Sequence, residues 1–407
     1  MHDTSPGPHD GVLGEVVALP CGLSLKNRLA KAAMSDSLGD GAGNPTSEQI
    51  ELYRRWAEGG TALSLIGEVQ IDHRYPEKPG NLVLGPQADP TLLGQLADAG
   101  NAGGAQVWPQ LGHAGALAYA PVSNPAGPSE LDVGGLRCAA LSTEELASLP
   151  ASFARAAVQA QSAGFMGVQV HAGHGFLLSQ FLSPLFNRRT DRYGGSAEAR
   201  SLLLLEVVRA VRRAVGSEFA IGVKINSSDQ LDGGLTEDDA LIALGLLDGE
   251  AVDLIDISGG TYFPGAPASS DRRSSGPYFV DFALRARTVT SIPLMVTGGF
   301  KTRAEAIDAV ERGAADVIGL ARTMALDPEL PSHWLMGEGH DPEFPSFESP
   351  PEGAITAWFT MRLDAIARGT DGGFAPTLED ALADYERRDT ERTSVWSAAF
   401  DVAGPAS

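Results

Sequence analysis

Two histidines three residues apart, His171 and His174, stand where a short apolar run ends. The run Gly167–Val170 has the composition of a strand buried on both faces, and the chain then turns through the stretch VQVHAGHGFLLSQFLSPLFNRRTDRYGGS, Val168–Ser196. Side chains at such a strand end project into the loops where α/β proteins keep their chemistry. Imidazoles there have three possible uses. They can ligate a metal, sit in the core satisfied by local backbone, or donate N–H groups to the oxygen of a bound carbonyl or nitro compound. A metal pair needs further ligands, and neither an H-E-x-x-H helix nor a cysteine cluster supplies them.

Two glycine turns offer a second chemistry. Thr297-Gly298-Gly299-Phe300 and Ile318-Gly319-Leu320-Ala321-Arg322 each follow an apolar run late in the chain. Glycine lets the backbone approach a phosphate closely, and an arginine adds a bidentate charge. A third set consists of Ser35, Gln110 and Lys224, each at or near the end of an apolar run. A glutamine amide suits the mixed donors and acceptors of a uracil-like ring, and a cation stabilises a reduced, anionic one. Lys224 also reads as an inward lysine paired with a carboxylate.

The elements that must carry these residues alternate regularly. Apolar runs predict strands at Leu29–Met34, Ala62–Glu68, Ala105–Leu111, Gly167–His171, Ala220–Asn226, Leu254–Ser258, Leu294–Thr297 and Asp316–Gly319. Helical periodicity falls between them, at Ser47–Glu58, Pro90–Ala102, Thr143–Ala163, Ala197–Val215, Thr236–Leu247, Phe279–Thr290, Thr302–Arg312 and shortly after Arg322. Eight such repeats predict an α/β fold, a TIM (β/α)8 barrel with long loops after strands 3 and 6 and a helical C-terminal extension. A doubly wound sheet is less favoured, because no G-x-G-x-x-G follows the first strand and the chemistry-bearing residues follow many strands. The long loops are 112–142 and 259–277, the latter carrying Tyr262, Phe263, Arg272 and Arg273, with the two arginines read as solvated surface charges.

Residues 1–12 read as a disordered lead-in and 13–335 as the barrel. Residues 336–407, with helices at Ala354–Ala367 and around Leu378–Arg387, read as an extension packing on the barrel or on a neighbouring subunit of a homo-oligomer. Net charge, 30 basic against 52 acidic residues, is −22, which opposes binding to nucleic acid or anionic membranes. Cys21 and Cys138 are the only cysteines, so no disulfide framework is expected, and neither a signal peptide nor a membrane span is visible. A soluble, cytoplasmic protein is the expectation.

With these motifs in order, the chain resembles the Old Yellow Enzyme family of FMN-dependent ene-reductases. The resemblance covers about Leu25 to Leu330 and rests on Leu25-Lys26-Asn27-Arg28, Gln110-Leu111-Gly112-His113-Ala114-Gly115, Phe181-Leu182-Ser183-Pro184, Asp191-Arg192-Tyr193-Gly194-Gly195-Ser196, Gly298-Gly299 and Ala321-Arg322. It implies a barrel holding FMN, reduced by NADH or NADPH and reoxidised by a small electron-poor acceptor such as an enone, nitroalkene or quinone.

By the same resemblance Ala32, Ala33, Met34 and Ser35 run beneath the flavin, with Gly67 and Glu68 a second contact stretch. Gln110 and Lys224 meet its pyrimidine, and Gly298, Gly299, Ala321 and Arg322 its phosphate. His171 and His174 bind the substrate's activating oxygen, His171 also touching the flavin. The family's proton-donating tyrosine is replaced by Phe176, a residue with no proton to give. Water or another donor, with Tyr262 the candidate, is expected in its stead, and Phe176 is expected to bind substrate by shaping the pocket. The alternatives are a flavoenzyme reaction that needs no acid, such as nitro or quinone reduction or a desaturation, and metal-assisted hydrolysis by the histidine pair.

Overall fold

Strands form where the apolar runs lie. In the computed structural model, which describes residues 11–264, 266, 276–337 and 340–402, they are β1 (Leu29–Ser35), β2 (Leu63–Gln70), β3 (Gln106–Gly112), β4 (Gly167–Ala172), β5 (Ala220–Asn226), β6 (Leu254–Ser258), β7 (Leu294–Thr297) and β8 (Val317–Leu320). All neighbours pair in parallel, in the order β1-β8-β7-β6-β5-β4-β3-β2, and β1 also pairs with β2, so the sheet closes into the expected barrel. Strands β2 to β8 are buried along their whole length, which is why they read as continuous apolar runs.

The covering helices begin at their capping signals. Thr46 accepts from the Gln49 N–H to open α1 (Ser47–Glu58), and reciprocal capping boxes start α3 (Thr143–Ser162) at Ser142 and Glu145. Between them lies α2 (Pro90–Gly100), and after β4 come a short α4 (Leu177–Leu182) and α5 (Ala197–Val215). Thr236 with Asp239 boxes α6 (Glu237–Leu247), and Thr302 with Glu305 boxes α8 (Arg303–Glu311). The helix expected over Phe279–Thr290 is shorter, α7 (Val280–Ala286), because the Phe279 ring is packed over the Gly298 turn instead.

Polarity along the inner face sets where the site is. Side chains alternate in and out along a strand, and the inward positions change character from one end of the barrel to the other. At the N-terminal end Ala30, Ala32, Leu63, Leu65, Trp108, Ala220, Leu254, Met295 and Val317 form one apolar cluster. An unforeseen hairpin, Val17–Ala18 paired with Ser24–Leu25, contributes Val17 and Leu25 to that cluster and plugs this end. Two residues further along the same faces stand Gln110, Asp256 and Thr297, and four beyond Ala220 stands Lys224, all buried.

A 3-10 turn begins at Val12, and residues 1–10 of the expected lead-in lie outside the described ones. Loop 112–142 holds two 3-10 turns and a small sheet whose Leu131–Val133 and Leu136–Ala140 strands pair antiparallel across Gly134-Gly135, a hairpin signal present in the sequence. After β8 come α9 (Arg322–Leu326), α10 (Leu330–Met336) and α11 (Ala354–Ala367).

The last helix, α12 (Leu378–Phe400), runs well past the expected Arg387, carried on by pairs such as Arg387–Glu391 and Arg388–Asp384. It packs on the loops at the C-terminal end of the barrel. Trp396 and Phe400 cluster with Val83 and Val122, Phe400 stacks on His73 at 4.6 Å, and Arg392 donates to the Ser37 hydroxyl at 3.2 Å.

Candidate active site

Three adjacent strands bring His171, Lys224 and Asp256 to one level, since His171 is the register partner of Lys224 and Lys224 that of Asp256. The Lys224 ammonium lies 3.0 Å from Asp256 Oδ2, both fully buried. Asp256 also accepts from the Gln169 amide at 3.1 Å and from the Thr297 hydroxyl at 2.6 Å. Gln169 in turn accepts from Gln110 at 2.6 Å. A continuous polar chain, Gln110–Gln169–Asp256–Lys224, therefore crosses the mouth of the barrel, and the carboxylate that pairs Lys224 is Asp256. Gln169 and Asp256 are not among the residues singled out from sequence, and Thr297 enters there only as part of a glycine turn, although a polar residue at an inward position of an otherwise apolar strand is the available signal.

His171 closes β4. Its Nδ1 accepts from the Gly173 N–H at 3.3 Å, which puts the proton of the neutral ring on Nε2. That Nε2 is buried without a hydrogen-bond partner, 3.3 Å from Glu68 Oε1 on β2. An orphaned buried donor is the kind of group a ligand satisfies.

His174 sits in the left-handed region, φ +59°, a conformation uncommon for a residue with a Cβ. Asn226 holds it there by accepting from its N–H at 2.9 Å, while Tyr262 N–H donates to its carbonyl at 3.1 Å. The His174 Nε2 and the Ser258 hydroxyl are 2.8 Å apart. Burial first, then the charges of Lys224 and His171, hold this imidazole well below the ordinary histidine range, so it is neutral.

The rings of His171, His174, Phe176 and Tyr262 form one cluster. His171 meets His174 at 5.4 Å and Phe176 at 5.1 Å, and Tyr262 lies 5.8 Å from both His174 and Phe176. Phe176 is buried and Tyr262 exposed. Gly175 between them has φ +81°, and a Cβ there would come within 2.0 Å of the Thr261 hydroxyl. Beneath, Gln180 donates to the carbonyls of Gly175 and Ala114 and accepts from the Ala116 N–H, tying the loop after β4 to the loop after β3.

The rest of the expected site is distributed as the strand order requires. Ser35 and Gly67 are register partners on β1 and β2, and a Cβ on Gly67 would come within 2.7 Å of the Met34 backbone. Ala32 is buried, whereas Ala33, Met34 and Ser35 are half-buried at the mouth. Gly298 and Gly299, at φ +132° and +87°, follow β7, and Ala321 and Arg322 follow β8. A Cβ on Gly299 would come within 2.6 Å of the Gly276 carbonyl, so this turn requires glycine. Arg272 and Arg273 lie outside the described residues. Among the described residues no group of three or more His, Cys, Asp or Glu side chains is arranged to hold a metal ion, and no helix is long and apolar enough to cross a membrane.

A donor set of amide, ammonium and orphaned imidazole, with glycine turns after β7 and β8, fits a flat heterocycle bearing a phosphate. Comparison with known proteins agrees. The family model described as NADH:flavin oxidoreductase / NADH oxidase matches residues 22–337. An NADH-dependent flavin oxidoreductase of Hypocrea jecorina is 36% identical over 348 residues, covering 77% of this chain and 86% of that protein. A solved 2-naphthoyl-CoA reductase in complex with 2-naphthoyl-CoA is similar with a TM-score of 0.75 at 26% identity, over 80% of this chain and 52% of that longer one. An old yellow enzyme homologue from Zymomonas mobilis shares the fold, with a TM-score of 0.71 at 22% identity over 82% of this chain and 94% of the other.

Proposed function

Since the chain belongs to the NADH:flavin oxidoreductase / NADH oxidase family, flavoenzymes of the Old Yellow Enzyme type that use FMN with NADH or NADPH, we propose that it reduces a small electron-poor acceptor whose activating oxygen is bound by His171 and His174. The acceptor class is an activated alkene such as an enone or nitroalkene, or a quinone. The observation that carries this reading is the buried, partnerless Nε2 of His171 beside the neutral His174.

In this reading Gln110 and Lys224 would hold the pyrimidine of FMN, Ala32, Ala33, Met34 and Ser35 would run beneath it, Gly67 and Glu68 would form a second contact stretch, and Gly298, Gly299, Ala321 and Arg322 would hold its phosphate. Bound FMN supplies the hydride chemistry. The protein's part is electrostatic and positional. His171 donates from Nε2 to the acceptor oxygen as negative charge develops there. A Ser258 hydroxyl donating to His174 Nε2 leaves that ring's proton on Nδ1, available to the same oxygen.

Phe176 makes one further reading specific. With phenylalanine where the resemblance expects an acid, acceptors that need no proton on carbon, quinones and nitro compounds, are favoured unless another group near the ring cluster supplies one. Tyr262, whose ring lies 5.8 Å from that of Phe176, is one such group.

The test is anaerobic. Purified protein is expected to be yellow, to bleach on addition of NADH or NADPH, and to regain its colour with 2-cyclohexenone or a quinone. Bleached protein that no such acceptor reoxidises refutes the acceptor assignment, and colourless protein that cannot be reconstituted with FMN refutes the cofactor sites.

A further inference from the structure

A cavity of about 410 Å3 is lined by Phe176 and Tyr262, whose rings pack on His171 and His174, and its wall also includes Tyr119, Lys78 and Glu77. We propose that Glu77 is the acid of this site, delivering to the substrate's α-carbon the proton that Phe176 cannot supply. The proposal rests on the alkene reading above. Glu77 belongs to the loop after β2, far in sequence from the histidines, and reaches the cavity only because that loop folds over the mouth of the barrel.

Its neighbours keep it an acid. Lys78, the adjacent cation, is drawn away by the last helix. Its ammonium lies 2.8 Å from Asp389 Oδ2 on α12, with the Tyr119 and Tyr385 rings at 4.9 and 5.3 Å. Among the described residues no cation forms an ion pair with Glu77. Its backbone N–H donates to Asn81 Oδ1 at 3.1 Å, and Asn81 Nδ2 approaches its carboxylate at 3.4 Å. The charged and titratable groups facing it are Glu68 on β2, Lys78 in its own loop, Asp389 and Tyr385 on α12, and Tyr262 in the loop after β6, with Arg392 behind Tyr385. Burial, and then the like charge of Glu68, raise the Glu77 carboxyl to about 7. Acid and carboxylate therefore coexist at neutral pH, as a proton donor requires.

The step balances simply. Addition of an NAD(P)H-derived hydride at the β-carbon, part of the function proposed above, moves the alkene's electron pair onto the activating oxygen. The Glu77 O–H bond breaks as a C–H bond forms at the α-carbon, giving the saturated product and a carboxylate, which water reprotonates.

Three proteins test this: wild type, Glu77→Gln and Tyr262→Phe. Each is reduced anaerobically and reoxidised either by 2-cyclohexenone or by ferricyanide, which takes electrons without forming a C–H bond. In Glu77→Gln the ratio of enone to ferricyanide rate is expected to fall about tenfold or more, and its pH dependence around neutrality to flatten. An unchanged ratio and profile in Glu77→Gln overturns the proposal, as does a loss confined to Tyr262→Phe. An infrared titration needs no acceptor. A protonated carboxyl band with its midpoint near neutrality, present in wild type and missing in Glu77→Gln, is expected, and a wild type without that band overturns the proposal. A wild type that shows the band yet leaves cyclohexenone unreduced refutes the alkene reading instead.

Discussion

Lys224 and Asp256 face each other across β5 and β6, Nζ to Oδ2 at 3.0 Å, and both are buried. The pair joins the amide chain from Gln110 to the cation that would face the flavin, so its stability and its cofactor role are separable by mutation. Lys224→Met strands a buried carboxylate and is expected to cost about 3–5 kcal/mol, read as a lower urea midpoint. Adding Asp256→Asn should recover part of that stability without recovering flavin content. Full flavin retention in the double variant would refute a cofactor role for Lys224.

The two imidazoles should act on the transition state. His171→Asn and His174→Asn, the latter keeping a residue type that tolerates positive φ, are each expected to lower kcat for 2-cyclohexenone by about 10²–10³-fold. Anaerobic bleaching by the nicotinamide should change far less. Equal losses in both half-reactions would point to a damaged flavin site instead.

Gly175 sets the spacing between His174 and Phe176. Gly175→Ala meets both an unfavourable φ of +81° and the Thr261 hydroxyl at 2.0 Å, so the two loops must separate. A stability loss of about 1–3 kcal/mol is expected, with turnover reduced by more than the flavin content. Thermal unfolding and flavin absorbance on the same sample check this.

His113 predicts an acid-labile barrel. It is buried, stacks on Tyr75 at 4.2 Å and accepts from the Gly115 N–H, and burial pushes it from 6.5 down to about 4. Because the folded value lies below the unfolded one, the unfolded chain binds the proton more readily. The stabilisation is full above about pH 6.5 and is lost as pH falls toward 4, by about 3 kcal/mol. His174 acts in the same direction. Urea midpoints measured across this window should fall in wild type and fall less steeply in His113→Gln.

The last helix should tune the cavity's acid. Asp389→Asn removes one of the like charges that raise Glu77 and frees Lys78 to pair with it, and both changes lower the Glu77 carboxyl. The pH midpoint of enone reoxidation is expected to move below its wild-type value. A midpoint that stays put would separate α12 from the chemistry.

Most of the scaffold was legible in the residues themselves. All eight barrel strands lie within two residues of the apolar runs, because a strand covered on both faces must be apolar throughout, and the helices begin where Thr46, Ser142, Thr236 and Thr302 can cap them. The polar inward residues Gln169 and Asp256 are equally visible there, as breaks in otherwise apolar strands. The plugging hairpin at Val17–Leu25 and the full length of α12 were not legible, since short strands and charged helices owe their stability to what they pack against.

His171 and His174 as neighbours, and Phe176 beside them, follow from sequence alone, because residues a few positions apart after a strand must share a loop. The proximity of Glu77 to Phe176, the withdrawal of Lys78 to Asp389 and the pairing of Lys224 with Asp256 follow only from the closed barrel. They join residues remote in sequence, and the shifts they cause depend on burial and on neighbouring charge, which exist only once the loops and the last helix have packed.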